Sequence, residues 1–315
     1  MFVKALFTYD YGKEKMKAIE DLGYDIILKK EKDVKLTNDI KDIDILVCYN
    51  PFNTLDITKL NTLKWIQLSS TGMDQVPMNI LKENNITLTN NKGGYSIPMG
   101  EWIVMKILEM LKNSKELYKN QEQKIWKIDT SILELFNKKV GFIGTGSIAQ
   151  ETAKRLQGFE VKVLGLNTKG TDTKYFDKCY SNNEIDKLYR ESDIVVISVP
   201  YTEKTHHMID EKAFNKMKDG VYLVNIARGS IINEKDMIKN LKSGKIAKAA
   251  LDVFEEEPLP KDNELWDLNN VIVTSHNSWI SEMKNERRFN TIYENMKRFI
   301  QGKELTNKVN IEKGY

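Results

Sequence analysis

Apolar and polar positions alternate along this chain in two successive series. In the first hundred residues, VKALFTY, DIILKK, DILVCYN, KWIQLSS and ITLTN are short apolar or β-branched runs of strand length. Segments 14–22 and 77–84 lie between them with helix-compatible composition. Strand-like runs separated by helical ones predict a parallel α/β sheet. A second series begins at Lys139 with KVGFIG, VKVLGL, DIVVISV, VYLVNIA, AKAALDVF and VIVTS. Helical segments at 148–157, 211–218 and 234–241 separate several of these runs, as in a doubly wound sheet. Between the two series, apolar residues Met99, Ile103, Ile107, Met110, Leu111 and Leu117 recur at helical spacing. They predict one long helix over 99–121, with Pro98 tolerated at its start. It serves either dimerisation or domain packing. The stretch 282–300 reads as a further helix that packs back onto the first domain.

Composition narrows the class. The chain has 315 residues, enough for two domains, with 41% hydrophobic and 30% charged residues. Its 48 basic and 45 acidic residues leave a net charge of +3. That balance gives no footprint for nucleic acid or an anionic membrane surface. Cys48 and Cys179 lie far apart and form no metal or redox motif, so two reduced thiols are expected. The N-terminus is too polar after Phe7 for a signal peptide, and no apolar run reaches the ~18 residues of a membrane span. A cytoplasmic protein is expected.

Strand-like KVGFIG runs into Gly144-Thr-Gly-Ser-Ile-Ala149 and then a helical segment. This is G-x-G-x-x-A in strand–turn–helix context. Gly144 permits the tight turn, Gly146 lets the backbone approach a pyrophosphate, and Ala149 allows close helix–strand packing. The helix N-terminus would offer its unpaired N–H groups to the phosphates. Gly144, Thr145, Gly146, Ser147 and Ile148 are therefore candidate cofactor contacts. About 20 residues past such a fingerprint an NAD site usually places an acid on the ribose. This chain has Asn167, Thr168 and Lys169 there, with no carboxylate to repel a 2′-phosphate. The set favours NADP(H) and leaves NAD(H) open. No metal is called for.

Downstream of the fingerprint, Arg228 in NIARGS, Glu257 in DVFEEEP and His276 in VTSHNS each lie at or beyond the end of a strand-like run. A cation, a carboxylate and an imidazole beside a nicotinamide are the parts needed to reduce a carbonyl. At this point the chain resembles a D-isomer-specific 2-hydroxyacid dehydrogenase over nearly its whole length. The resemblance rests on GFIGTGSIA, SVPYTEKTHHMI, MKDGVYLVNIARGSIINE, LKSGKIAKAALDVFEEEPLP and VIVTSHNS, in that order. It implies that Arg228 binds the substrate carboxylate and polarises the oxo group, that His276 donates or accepts the proton, and that Glu257 orients the imidazole. It also implies that Asp252 binds the nicotinamide carboxamide, that Val199 and Pro200 shape the adenosine pocket, and that Asn225 supports Arg228. Thr205, Ile226 and Ala227 join the expected cofactor contacts. His206 and His207 are expected to be exposed or merely near the cofactor.

In the first domain, LSSTGMDQVP resembles the family's substrate loop. Backbone N–H groups around Thr71 and Gly72 would form a nest for the substrate carboxylate, with Ser70 adding a donor. The other reading is an ordinary strand-to-helix turn capped by Asp74. By the same resemblance Asn50, Phe52 and Tyr95 are candidate specificity residues. Neither CYNPF nor LSSTGMDQ contains a cation, so a phosphorylated substrate is disfavoured and a small or moderately apolar 2-oxo acid is expected. Two departures from the family pattern bear on selectivity. The cofactor acid is missing, and Asn277, Ser278 and Trp279 replace the usual small residues after the histidine.

The fold expected is α/β, with two Rossmann-like domains. One is a doubly wound parallel-sheet cofactor domain over 99–281. The other is a flavodoxin-like substrate domain over 1–98 and 282–315, with an interdomain cleft. The resemblance implies reversible reduction of a 2-oxo acid to the (R)-2-hydroxy acid by a homodimer. A non-catalytic dinucleotide-sensing protein of the same fold is the alternative, and formate oxidation is a second. The intact Arg228, Glu257 and His276 set argues against the first. Formate oxidation needs no proton donor and would bring further pocket motifs.

Overall fold

A computed structural model describes residues 3–312. The chain divides into two compact units, one formed by Met1–Tyr95 with Ser281–Tyr315 and the other by Ser96–Ile280.

The first unit holds strands β1 (Val3–Phe7), β2 (Tyr24–Leu28), β3 (Ile45–Cys48), β4 (Trp65–Leu68) and β5 (Thr87–Thr89), with helices α1 (Lys13–Glu20) and α2 (Met78–Glu83). Its five strands are all parallel and stand in the order β2-β1-β3-β4-β5, the flavodoxin-like winding. Strands β3 and β4 are buried on both faces, which is why ILVC reads as an unbroken apolar run and WIQL is interrupted only by Gln67.

The helix Lys284–Ile300 returns from the far end of the chain to complete this unit. Its buried residues Phe289, Ile292, Asn295 and Met296 fall on one stripe, and the three apolar ones join Phe7, Ile19, Ile45, Val47 and Trp65 in a single cluster. The Asn295 amide donates to Gln67 Oε1 at 2.8 Å and to the Thr306 carbonyl at 3.0 Å. Gln67 Oε1 also accepts from the Thr89 hydroxyl at 2.8 Å, and that hydroxyl accepts from the Trp65 indole N–H at 2.8 Å. A buried polar chain of this kind specifies one seating of the helix because a shifted seating would strand its members.

The second unit opens with α3 (Ser96–Leu111) and α4 (Ser114–Glu122). The single helix expected over 99–121 is thus two. Asn113 takes the left-handed conformation, with φ 56°. The Lys248 ammonium meets the last turn of α3 at the Met110 carbonyl (2.9 Å) and binds the Asn113 side-chain oxygen (2.7 Å). A left-handed Asn together with a cation on the free carbonyls ends a helix whatever the apolar spacing beyond it. Pro98 lies inside the first turn of α3, where no N–H is needed.

The sheet of this unit contains β6 (Lys139–Ile143), β7 (Lys162–Leu166), β8 (Lys178–Tyr180), β9 (Ile194–Ile197), β10 (Val221–Asn225), β11 (Ile246–Leu251) and β12 (Val271–Val273). All seven are parallel, in the order β12-β11-β10-β9-β6-β7-β8. Helices α5 (Ser147–Leu156), α6 (Ile185–Glu191), α7 (Glu211–Lys216) and α8 (Glu234–Ser243) connect them. Strand β8 and helix α6 have no counterpart among the expected elements, since both are short and KCY carries too little pattern. Helix α3 lies close on α5, where a Cβ on Gly100 would sit 3.3 Å from the Thr152 nitrogen.

Replacing Asn295 by Ala leaves Gln67 and the Thr306 carbonyl short of a donor inside the first unit. The expected cost is ~1–3 kcal/mol, read as a lower urea midpoint with an unchanged slope.

Candidate active site

Because every strand of the second unit runs the same way, the segments that follow β6, β7, β9, β10, β11 and β12 emerge at one edge of its sheet. All the chemistry-bearing residues of this unit lie in those segments.

The turn after β6 begins at Gly144, with φ 100°. A Cβ there would stand 2.9 Å from Val199 Cγ1 and 3.0 Å from the Ser198 carbonyl oxygen, so only glycine fits. A Cβ on Gly146 would meet nothing within 4 Å, so the backbone is open at the entrance of α5. No side chain caps that helix, and its leading N–H groups are left for a ligand. These residues fit a dinucleotide pyrophosphate. Thr145 faces the next loop through its hydroxyl, which receives Asn167 Nδ2 at 3.4 Å and Thr173 at 3.2 Å. The Asn167 amide is occupied in shaping its own loop: Nδ2 donates to the Thr171 carbonyl, and Oδ1 accepts from the Lys169 and Thr171 N–H groups. Thr168 and Lys169 are exposed, and Lys169 forms no ion pair among the described residues. Thr205 likewise builds its loop, with its hydroxyl between the Thr202 N–H and the Pro200 carbonyl.

Beyond β10, the Asn225 amide donates to the Arg228 carbonyl at 3.0 Å, and its oxygen accepts from the Ala227 N–H at 3.1 Å. Asn225 thus fixes the bend that carries Ile226, Ala227 and Arg228 out of the sheet. Arg228 Nη1 donates to the Ala227 carbonyl at 2.7 Å. Gly229 then lies directly against the Phe254–Glu255 backbone; a Cβ would overlap the Phe254 carbonyl carbon at 1.8 Å. This contact brings the loop of Arg228 up to the loop of Glu257.

Glu257 and His276 are joined. His276 Nδ1 is 2.8 Å from Glu257 Oε2, with 38% of the imidazole side chain and 36% of the carboxylate side chain exposed. Glu257 Oε1 accepts from the Phe254 N–H at 3.0 Å. Partial burial works against ionisation of Glu257. The His276 and Phe254 hydrogen bonds and the nearby Arg228 charge overcome it, so the carboxyl titrates below the ordinary glutamate range. His276 itself has a positive φ of 53°. Its backbone is held by its N–H, which donates to the Asp252 carbonyl at 2.9 Å.

The Asp252 carboxylate, 1% exposed, accepts from the Thr274 hydroxyl (2.7 Å) and from the Asn277 and Ser278 N–H groups (2.9 Å each). Asp252 therefore holds the whole 274–278 segment in place. Trp279 follows it, half-buried. His207 is not loose: its Nε2 pairs with Glu255 at 2.7 Å, and exposed His206 stacks on its ring at 3.9 Å.

In the first unit, the Ser70 hydroxyl is turned back on the Gly72 carbonyl (2.7 Å), and the Thr71 hydroxyl contacts the Asn91 carbonyl (3.3 Å). The Thr71 and Gly72 N–H groups have no backbone acceptor among the described residues, as a nest for an anion requires. The Asn50 N–H is taken by the Glu31 carboxylate. Phe52 packs against the core of this unit. Tyr95 is buried, and its hydroxyl donates to the Ser69 carbonyl at 2.5 Å.

Residues 104–278 match the family described as D-isomer specific 2-hydroxyacid dehydrogenase, NAD binding domain. The chain belongs to this family. It is 31% identical over 319 residues to the D-3-phosphoglycerate dehydrogenase of Methanocaldococcus jannaschii, covering 98% of this chain but spanning only 60% of that relative's length. It is 34% identical over 252 residues to the hydroxypyruvate reductase of Thermotoga maritima, covering 78% of this chain and 81% of that one. The D-isomer specific 2-hydroxyacid dehydrogenase of Xanthobacter autotrophicus Py2, solved with NADPH and MES, shares the fold at a TM-score of 0.84, with 22% identity and 100% of both chains covered.

Within this 2-hydroxyacid dehydrogenase chain, two contributors escape a reading of the sequence. Gly229 is visible there only as the residue after Arg228, and its need for a bare Cα comes from a backbone that arrives much later, at Phe254. Arg288 comes from the terminal helix and donates to the Tyr95 hydroxyl at 2.9 Å. Nothing in the local sequence ties it to the loops after β1 to β5.

Gly229→Ala forces the Arg228 loop off the Phe254–Glu255 backbone. We expect a loss of kcat/KM of at least about 100-fold, the usual consequence of misplacing a binding group by about 1 Å. Steady-state kinetics on a variant with native circular dichroism checks this.

Proposed function

We propose that the protein reduces a 2-oxo acid reversibly to the (R)-2-hydroxy acid, using NADP(H) in preference to NAD(H). The observation that carries this reading is the His276–Glu257 pair at 2.8 Å, with the Arg228 charge acting on the same carboxylate. The bound nicotinamide supplies the hydride in reduction and takes it back in oxidation. Reduction adds that hydride to C2 and a proton to the oxo oxygen. His276 delivers the proton from the ring nitrogen opposite Glu257, and Glu257 orients the ring and stabilises its charged form. Arg228 holds the substrate carboxylate and polarises the C=O group through its forked guanidinium. Thr71 and Gly72 N–H groups offer a second hold on the carboxylate. Relatives named glyoxylate reductase and hydroxypyruvate reductase support a small 2-oxo acid as substrate. Lys169, which forms no ion pair among the described residues and lies two positions after Asn167, where an NAD site would place its acid, supports NADP(H).

Oxidation of NADPH and of NADH, measured against 2-oxo acids from glyoxylate to phenylpyruvate, tests the reading. Turnover with NADPH ahead of NADH is expected. His276→Ala is expected to lower kcat by about 100-fold or more while the cofactor still binds. Tight cofactor binding without turnover of any 2-oxo acid would favour a dinucleotide-sensing protein instead.

The protein is further proposed to be a cytoplasmic homodimer. After α4, residues Ile125, Trp126, Ile128 and Phe136 are exposed, with Trp126 99% accessible. The segment is nonetheless held in shape. The Asp129 side chain accepts from the Ser131 hydroxyl and from Asn113 Nδ2, and these bonds lower its carboxyl to about 2. An ordered apolar strip of this kind suits a second copy of the chain. Trp126→Glu is expected to shift the sedimentation coefficient from dimer to monomer; a dimer unaffected by Trp126→Glu would remove this strip as the interface.

A further inference from the structure

The first unit contains a cation that the proposed chemistry leaves unused. Arg288 is half-buried, and its guanidinium carbon lies 5.8 Å from the centres of both the Tyr9 and Tyr95 rings. Its Nε donates to the Tyr95 hydroxyl, which itself donates to the Ser69 carbonyl. No carboxylate pairs with Arg288 among the described residues; its ionisable neighbours are the Tyr95 and Tyr11 hydroxyls. The Tyr11 hydroxyl is buried and forms no hydrogen bond of good geometry. The adjacent Arg287 is different: Nε donates to the Gly94 carbonyl and Nη2 to the Ser281 hydroxyl, so it braces the backbone.

The position of Arg288 is as telling as its lack of a carboxylate. Tyr9 follows β1, Tyr49 follows β3, Ser69 and Ser70 follow β4, and Tyr95 lies beyond β5, all at the carboxyl edge of one parallel sheet. Strands β1 and β3 flank the point where the winding reverses, which is where open α/β sheets take their ligands. The Glu31 carboxylate already occupies the Thr8 hydroxyl and the Tyr49 and Asn50 N–H groups. An anion that reaches the β1–β3 crevice, away from the Thr71 and Gly72 N–H groups, therefore depends on the guanidinium. With Nε committed to Tyr95, the two terminal nitrogens present a planar fork that matches one carboxylate through two parallel hydrogen bonds. The Tyr9 and Tyr95 faces stabilise the cation while it waits. A phosphate dianion would call for further cations, and CYNPF and LSSTGMDQ, the segments after β3 and β4, bring none.

We propose that Arg288 binds a second carboxylate at the far end of the substrate, so that 2-oxo dicarboxylic acids are preferred over monocarboxylic ones of equal length. This rests on the reaction proposed above, in which the Thr71 and Gly72 N–H groups share in holding the first carboxylate.

The test compares 2-oxoglutarate with 2-oxopentanoate as substrates of the full-length protein, before and after Arg288→Met. The unsubstituted protein is expected to show the higher kcat/KM for 2-oxoglutarate. In Arg288→Met the ratio of the two is expected to fall by about 30-fold, mainly through KM for the diacid, with partial recovery in Arg288→Lys. A ratio that does not change in a folded Arg288→Met overturns the proposal. So does a preference of the unsubstituted protein for 2-oxopentanoate, a measurement that requires no variant to fold. Turnover of monoacids without preference for the diacid sinks the role of Arg288 and leaves the reductase reading intact; absence of turnover with every 2-oxo acid sinks both.

Discussion

Parallel strand direction is the constraint on which this molecule depends. A strand that must run beside its predecessor in the same sense can be reached only by a crossover, so each unit delivers its strand ends to one edge and its return connections to the other. Residues separated by more than a hundred positions, such as Gly144 and His276, thereby reach the same edge of one sheet. The edge supplies proximity, and the finer placement is left to a few contacts between loops.

In the second unit these contacts form a connected set. Asn225 shapes the bend before Arg228, Gly229 seats that bend on the Phe254–Glu255 backbone, Phe254 donates to Glu257, and Glu257 meets His276. Asp252 closes the set from below by gathering three donors of the 274–278 segment. Its carboxylate is therefore largely engaged in holding the backbone of the histidine loop, alongside the cofactor contact implied for it by resemblance. The left-handed conformation of His276 is sustained by these bonds, since an isolated histidine would rarely adopt it.

Much of the architecture is legible in the sequence because parallel strands are buried on both sides and leave uninterrupted apolar runs: ILVC, IVVI and VYLVN announce themselves. The glycine fingerprint is legible for a different reason, since strand, turn and helix follow each other without a gap. What cannot be read are features made by distant residues. The break at Asn113 depends on Lys248, and apolar spacing alone carries the helix straight through it. Strand β8 is three residues long and borrows its pairing from β7. Asn167 reads as a donor for a ribose, and its amide also shapes the Thr171 loop, a use that the sequence does not announce. Arg288 meets Tyr95 from a helix nearly two hundred positions further along, a contact that no local pattern announces.

The buried chain from Trp65 through Thr89 and Gln67 to Asn295 also sets an order of assembly. Gln67 and Asn295 are 228 positions apart, and the first unit lacks one wall of its core until the terminal helix is present. The second unit contains everything it needs within Ser96–Ile280. During synthesis the inner unit can therefore close while the outer one waits, with β1 to β5 uncovered on the nascent chain until the helix Lys284–Ile300 emerges. A segment made before the inner unit thus becomes native after it, and for that interval its apolar strands lack their cover.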